Sequence, residues 1–176
     1  MTSRPLTDTE IDRILAEMPL LRDKCLFVLG LRTGFRISEL LSLSLNDVWD
    51  GVKCRGVLTV HRKSMKGKQR SRSVPLHAQA QRMLEEYICM YKPDNFLFPI
   101  TRQHAWRVIK QAAVLAGLDG CIATHSMRKS FAARVYAKSG KDLIKTQSAL
   151  GHASVASTQA YLAVNKDEVD ELILAI

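Results

Sequence analysis

Two short β-prone runs, set into a chain otherwise patterned for helices, leave few architectures open. Gly56 to His61 reads as a strand, Ser71 to Pro75 as its return, and the stretch between them is crowded with Lys and Arg around Gly67. Two strands joined by a short glycine-containing turn pair antiparallel, as a hairpin or a short meander. An isolated hairpin cannot bury its own apolar face, so the flanking helices must cover it. The expected class is therefore α+β: mainly α with a small antiparallel β-sheet.

The helix signals are distinct. Thr7-Asp8-Thr9-Glu10 has capping-box spacing and predicts a helix through about Met18, broken by Pro19. Asp23 to Leu31 reads as a mostly buried helix ending before Gly34, and another starts near Ile37, with Leu40, Leu41 and Leu43 as core candidates. Beyond the hairpin, amphipathic helices are predicted at His77 to Tyr91 and at Arg102 to Ala116, the second stopped by Gly117. Ser126 to Ser139, Leu143 to Leu150 and Ser154 to Leu162 follow. A tail helix over 165–176 carries Val169, Leu172, Ile173 and Ile176 on one apolar stripe, suited to packing in cis against its own core. With no internal repeat, low-complexity segment or linker, 176 residues are expected to form a single domain.

Charge narrows the partners. Lys and Arg number 26 against 17 Asp and Glu, a net charge of +9, which favours a polyanion through counterion release. The four cysteines, Cys25, Cys54, Cys89 and Cys121, are far apart and form no CxxC pair. Cys25 and Cys89 fall in apolar helical patterns and read as core thiols, which suits a reducing compartment rather than a disulfide scaffold. No signal peptide is expected, and no apolar run is long enough to span a bilayer.

The reactive side chains fall into a few compact motifs. Arg36 sits just after Gly34 in TGFRISEL, where a helix begins, and His125 and Arg128 share one helical face in THSMRKSFA, with Arg128 expected on the first turn. Planar guanidinium forks at helix starts suit a phosphate, whose nonbridging oxygens gain charge as a nucleophile attacks. A histidine near neutral pH donates to such an oxygen or takes the attacking proton. His152 in ALGHAS lies nine positions before Tyr161 in STQAYL, near enough for both to fold around one pocket. Taken singly, each histidine reads as a cap or core residue and Tyr161 as a packing aromatic, the role assigned to Tyr87 and Tyr91. Taken together, they make Tyr161 the candidate nucleophile, forming a phosphotyrosine that stores the energy of the broken bond. No HExxH motif or cysteine cluster accompanies them, so neither metal nor cofactor is expected.

The leaving sugar oxygen needs a proton. Lys66 in the hairpin is the general-acid candidate, with Lys68 and Lys63 as alternatives of similar reach. Arg62, Arg70, Arg72 and Lys129 are the candidate DNA contacts.

In this order the motifs resemble the catalytic domain of the tyrosine recombinases, or phage-type integrases, over roughly Leu6 to Val164. The resemblance makes Arg36, His125, Arg128, His152 and Tyr161 catalytic, Glu39 a supporting acidic residue, and a lysine of SMKGKQRSRSVPL the general acid. Counting back from Val74-Pro75, the family's lysine falls on Gly67, so one extra turn residue is needed to place Lys66 there, and Lys68 stays open. The implied activity is cleavage and rejoining of double-stranded DNA through a 3′-phosphotyrosyl link with a free 5′-hydroxyl. The same resemblance implies a tetramer on synapsed DNA, docking of the tail helix on a neighbouring protomer as an even alternative to packing in cis, accessory DNA-bending proteins, and a cytoplasmic setting in a bacterial or phage-infected cell; the free protein is expected to be a monomer. Family members usually carry an N-terminal core-binding domain, which is expected to be absent here because the helix capped by Thr7 is already the catalytic domain's first. A type IB topoisomerase shares the chemistry, and an inactive DNA-binding module would share the charge. The SEL after Arg36 and the LGH box before Tyr161 favour the recombinase.

Overall fold

The computed structural model describes residues 3–61, 71–152 and 154–162, without the side chains at 160 and 161. Arg62, Lys63, Lys66, Lys68, Arg70 and the predicted tail helix lie outside the described residues. Contacts gather the chain into two compact units, Met1–Phe131 and Ala132–Ile176.

In the first unit, α1 (Asp8–Ala16) starts as its capping box predicts: Thr7 Oγ1 accepts the Glu10 amide and Glu10 Oε2 accepts the Thr7 amide at 2.9 Å. Arg4 clasps the same carboxylate through two nitrogens, at 2.6 and 2.9 Å, and this ion pair first of all draws the Glu10 pKa down to about 2. Helix α2 (Leu21–Thr33) is buried over most of its length, as its apolar sequence requires, and ends at Gly34 with φ +62°.

A helix was expected to start near Ile37, and two single turns form there, α3 (Ile37–Leu40) and α4 (Leu45–Val48). The serines explain the break. Ser42 Oγ donates to the Glu39 carbonyl at 2.8 Å, and Ser44 caps the second turn with Asp47. Strands β1 (Val57–Val60) and β2 (Arg72–Pro75) pair antiparallel, Leu58 opposite Val74 and Val60 opposite Arg72. Leu58, Val60, Val74 and Arg72 all point inward, while Thr59 and Ser73 face out and share a 2.8 Å hydrogen bond.

Helices α5 (Ala78–Tyr91) and α6 (Arg102–Leu115) close the core from the other side. Tyr87 stacks on Phe98 and donates to the Leu97 carbonyl at 2.8 Å. Tyr91 is exposed, and so is Cys89: only Cys25 of the two predicted core thiols is buried, because Cys89 lies on the outward face of α5. Helix α7 (Thr124–Lys138) starts two residues earlier than predicted and passes from the first unit into the second. Gly30 of α2 lies so close to it that a Cβ there would sit 2.5 Å from the Met127 sulphur.

The second unit holds α8 (Leu143–Leu150), whose N-terminal amides at Ile144 and Lys145 donate to Asp142, and α9 (Val155–Leu162). Gly151, at φ +64°, ends α8. Among the described residues, no helix is long and apolar enough to cross a membrane.

Candidate active site

The four residues from Thr33 to Arg36 form the turn between α2 and α3, and three arginines meet on it. Arg72 Nη2 donates to the Thr33 carbonyl at 2.7 Å, and Arg128 Nη1 donates to the next carbonyl, Gly34. Arg36 is the third, and its position is fixed by Glu39. That carboxylate, 1% exposed, accepts the Arg36 amide on one oxygen and the Arg36 guanidinium on the other, both at 2.7 Å. The turn is locked from within as well. Thr33 Oγ1 donates to the Leu29 carbonyl at 2.6 Å and accepts the Phe35 amide at 3.2 Å. Gly34 adopts a left-handed conformation, and a side chain on it would overlap the Phe131 ring.

Among the described residues, three guanidinium groups gather at this corner beside the Glu39 carboxylate. Burial first, then the charge of Arg128, lowers the Arg72 pKa to about 10. His125, second residue of α7, is solvent-exposed on one side, yet it too is shifted. The protein packed around it, and then Arg128, Arg36, Arg102 and Lys129, hold its imidazole below the ordinary histidine range. Arg36, Glu39, His125 and Arg128 thus belong to one neighbourhood of the first unit. Arg128 is a second-turn residue, because α7 begins at Thr124.

Arg72 is not the solvent-facing DNA contact expected from the basic run. It is buried, 8% exposed, with its guanidinium 4.9 Å over the Phe35 ring. A second group escaped the sequence reading. Ile37, Arg102, Gln103, Trp106, Arg107 and Thr124 line an open cleft of about 530 Å³ between α3, the start of α6 and the start of α7. Trp106 is largely exposed, and Lys110 Nζ lies 4.8 Å from its ring centroid. The signal in the sequence is a tryptophan among cations at helical spacing, Arg102, Trp106, Arg107 and Lys110, which an amphipathic pattern alone does not single out.

In the second unit, His152 follows the α8 stop and is clamped. Its amide donates to the Gln147 carbonyl at 3.1 Å, and its carbonyl accepts Gln147 Nε2 at 3.1 Å. Its Nδ1 lies 2.9 Å from the hydroxyl of Thr158, a fully buried residue of α9. Tyr161 lies one turn further along the α9 backbone. The candidate lysines Lys66, Lys68 and Lys63, with Arg62 and Arg70, fall outside the described residues. Lys129, beside Arg128, is half-buried.

Residues 4–168 match the model of the Phage integrase family. The chain belongs to that family. Among curated relatives of this integrase-family chain is the tyrosine recombinase XerD of Corynebacterium glutamicum. It is 35% identical over 164 residues, covering 86% of the chain and 51% of the relative. The chain spans about half the length of the curated relatives it matches. In fold it is similar to the XerA recombinase, with TM-score 0.77 and 24% identity over 99% of the chain and 64% of that protein. It is also similar to the XerH site-specific recombinase in a post-cleavage complex with its difH substrate, with TM-score 0.75 and 25% identity over 98% and 53%.

Proposed function

We propose that this phage-integrase-family chain is a site-specific recombinase that binds duplex DNA, cleaves one strand at a time and rejoins it to a partner strand. The observation that carries this reading is the turn from Thr33 to Arg36, where three guanidinium groups, those of Arg36, Arg72 and Arg128, converge beside the Glu39 carboxylate. Such an excess of rigid donors suits a group that arrives negative and becomes more so, as a phosphodiester under attack does.

In the proposed reaction, Arg36 and Arg128 hold the nonbridging oxygens of the scissile phosphate. Tyr161 attacks phosphorus, its phenolic oxygen forming the new P–O bond as the bond to the 5′-oxygen breaks. His125, held neutral, takes or shares the phenolic proton, and His152 donates to a phosphate oxygen. Lys66 supplies the proton to the leaving 5′-oxygen, with Lys68 and Lys63 the alternatives. A 5′-hydroxyl from another strand then reverses the step, conserving bond energy without ATP. The cleft of Arg102, Gln103, Trp106 and Arg107 is proposed to face the duplex beside the site, with Arg62, Arg70 and Lys129 on phosphates. The protein is proposed to be a monomer when free and to assemble as four protomers on two synapsed duplexes. A DNA-bound relative, the lambda integrase, was crystallised as a dimer on its core site.

The test is covalent capture. Incubated with nicked duplexes of randomised sequence, the protein should form an adduct that survives SDS. Tyr161→Phe should abolish it while changing DNA affinity less than about twofold. An undiminished adduct in the variant would move the nucleophile elsewhere.

A further inference from the structure

The inward face of β2 poses a problem that strand packing alone does not explain. Its inward neighbours are Leu58, Val60 and Val74, so an apolar side chain at position 72 would complete the layer. Instead the position holds a cation, buried beside Arg128 and within the field of Arg36. A guanidinium costs more to desolvate at such a position than an apolar side chain does, so its contacts there need an account.

The geometry of the side chain shows what it does for the turn. Its Cζ lies over the Phe35 ring, 4.9 Å from the centroid, while Nη2 donates to the Thr33 carbonyl at 2.7 Å, so it grips the residues on both sides of Gly34. Only a planar guanidinium stacks and donates in-plane at once; an ammonium does one or the other. Arg36 is the next residue along the chain.

We propose that Arg72 is a positioning residue for strand cleavage: it fixes the turn from Thr33 to Phe35 so that Arg36 meets the scissile phosphate at the angle the transition state needs. This rests on the strand-cleaving reading above. Arg72 touches no reacting atom in this scheme and acts through Arg36.

The test is a double-mutant cycle on the full chain, read as the rate of covalent adduct formation with nicked randomised duplexes. Arg36→Ala should slow the reaction about 100-fold or more, as loss of a transition-state donor does. Arg72→Met should slow it about 30-fold, with DNA affinity changed less than about twofold. The double variant should be no slower than Arg36→Ala alone. On duplexes carrying a methylphosphonate at the cleaved position, which lacks the nonbridging negative charge, the gap between wild type and Arg72→Met should shrink to about threefold or less. Losses that multiply, or a gap of the same size on both substrates, would overturn the proposal. Thermal melting accompanies every variant. If Arg72→Met fails to fold, Arg72→Lys reads the same cycle, with an expected loss of about fivefold that vanishes on the Arg36→Ala background; an unchanged rate in Arg72→Lys would count against the idea. A wild-type protein that forms no adduct would bring down the strand-cleaving reading and this inference with it, whereas a wild-type adduct with multiplying losses sinks the inference alone.

Discussion

His125 shows how a residue is tuned by where its helix begins. Partial burial at the start of α7, then Arg128, Arg36, Arg102 and Lys129, keep its pKa under the ordinary value near 6.5. A histidine that works in its neutral form therefore keeps working on the acid side of that value, and cleavage falls only as pH drops through the lowered pKa. Removing a nearby cation must raise that pKa. A pH–rate profile of adduct formation should show the acid limb of Arg102→Gln at higher pH than that of the wild type. A limb that stays in place would assign it to another group. The same sign governs stability: the contribution of neutral His125 is complete above the unfolded pKa and is lost as pH falls through the folded one. Of the site residues, those with a fixed motif, Arg36, His125 and Arg128, were legible in the sequence because their spacing survives folding. Arg72 was not, since it sits in a charge run that reads as solvated. Period-two alternation back from buried Val74 was the available clue that it faces inward.

At the scale of elements, the turn between α2 and α3 depends on a residue without a side chain. Gly34→Ala has to adopt φ +62° with a Cβ and displace the Phe131 ring. The left-handed backbone costs about 1–2 kcal/mol and the overlap about 1–3 more, so a loss of about 2–5 kcal/mol is expected in urea unfolding. A loss under about 1 kcal/mol would mean that the turn and Phe131 move apart freely. The hairpin and the long helices were legible because apolar periodicity and terminal residues such as Thr7, Gly34, Gly117 and Gly151 mark them directly. The region from Ile37 to Val48 was not. Its leucines kept a helical rhythm, while Ser42 and Ser44 diverted their hydrogen bonds to local carbonyls and carboxylates and split the helix into two turns. Cys89 misled for a related reason: a small apolar residue on an amphipathic helix fits either face, and only the packing of α5 decides.

For the whole molecule, a net charge of +9 sets the manner of binding. Each phosphate neutralised releases counterions, so the logarithm of DNA affinity should fall linearly with the logarithm of salt concentration. A fluorescence titration should give a slope of about −4 or steeper. A flat response would contradict a DNA interface built on Arg102, Arg107 and the basic hairpin. The close seam between Gly30 and Met127 has a different consequence, in oxidative chemistry. Met127 lies between His125 and Arg128 in sequence, is fully buried, and presses its sulphur on a glycine with no side chain to retract. A sulfoxide oxygen has no space there. With that thioether sealed between α2 and α7, its oxidation by peroxide reports the opening of the seam, following the open population when reclosing outpaces oxidation and the opening rate when oxidation is the faster.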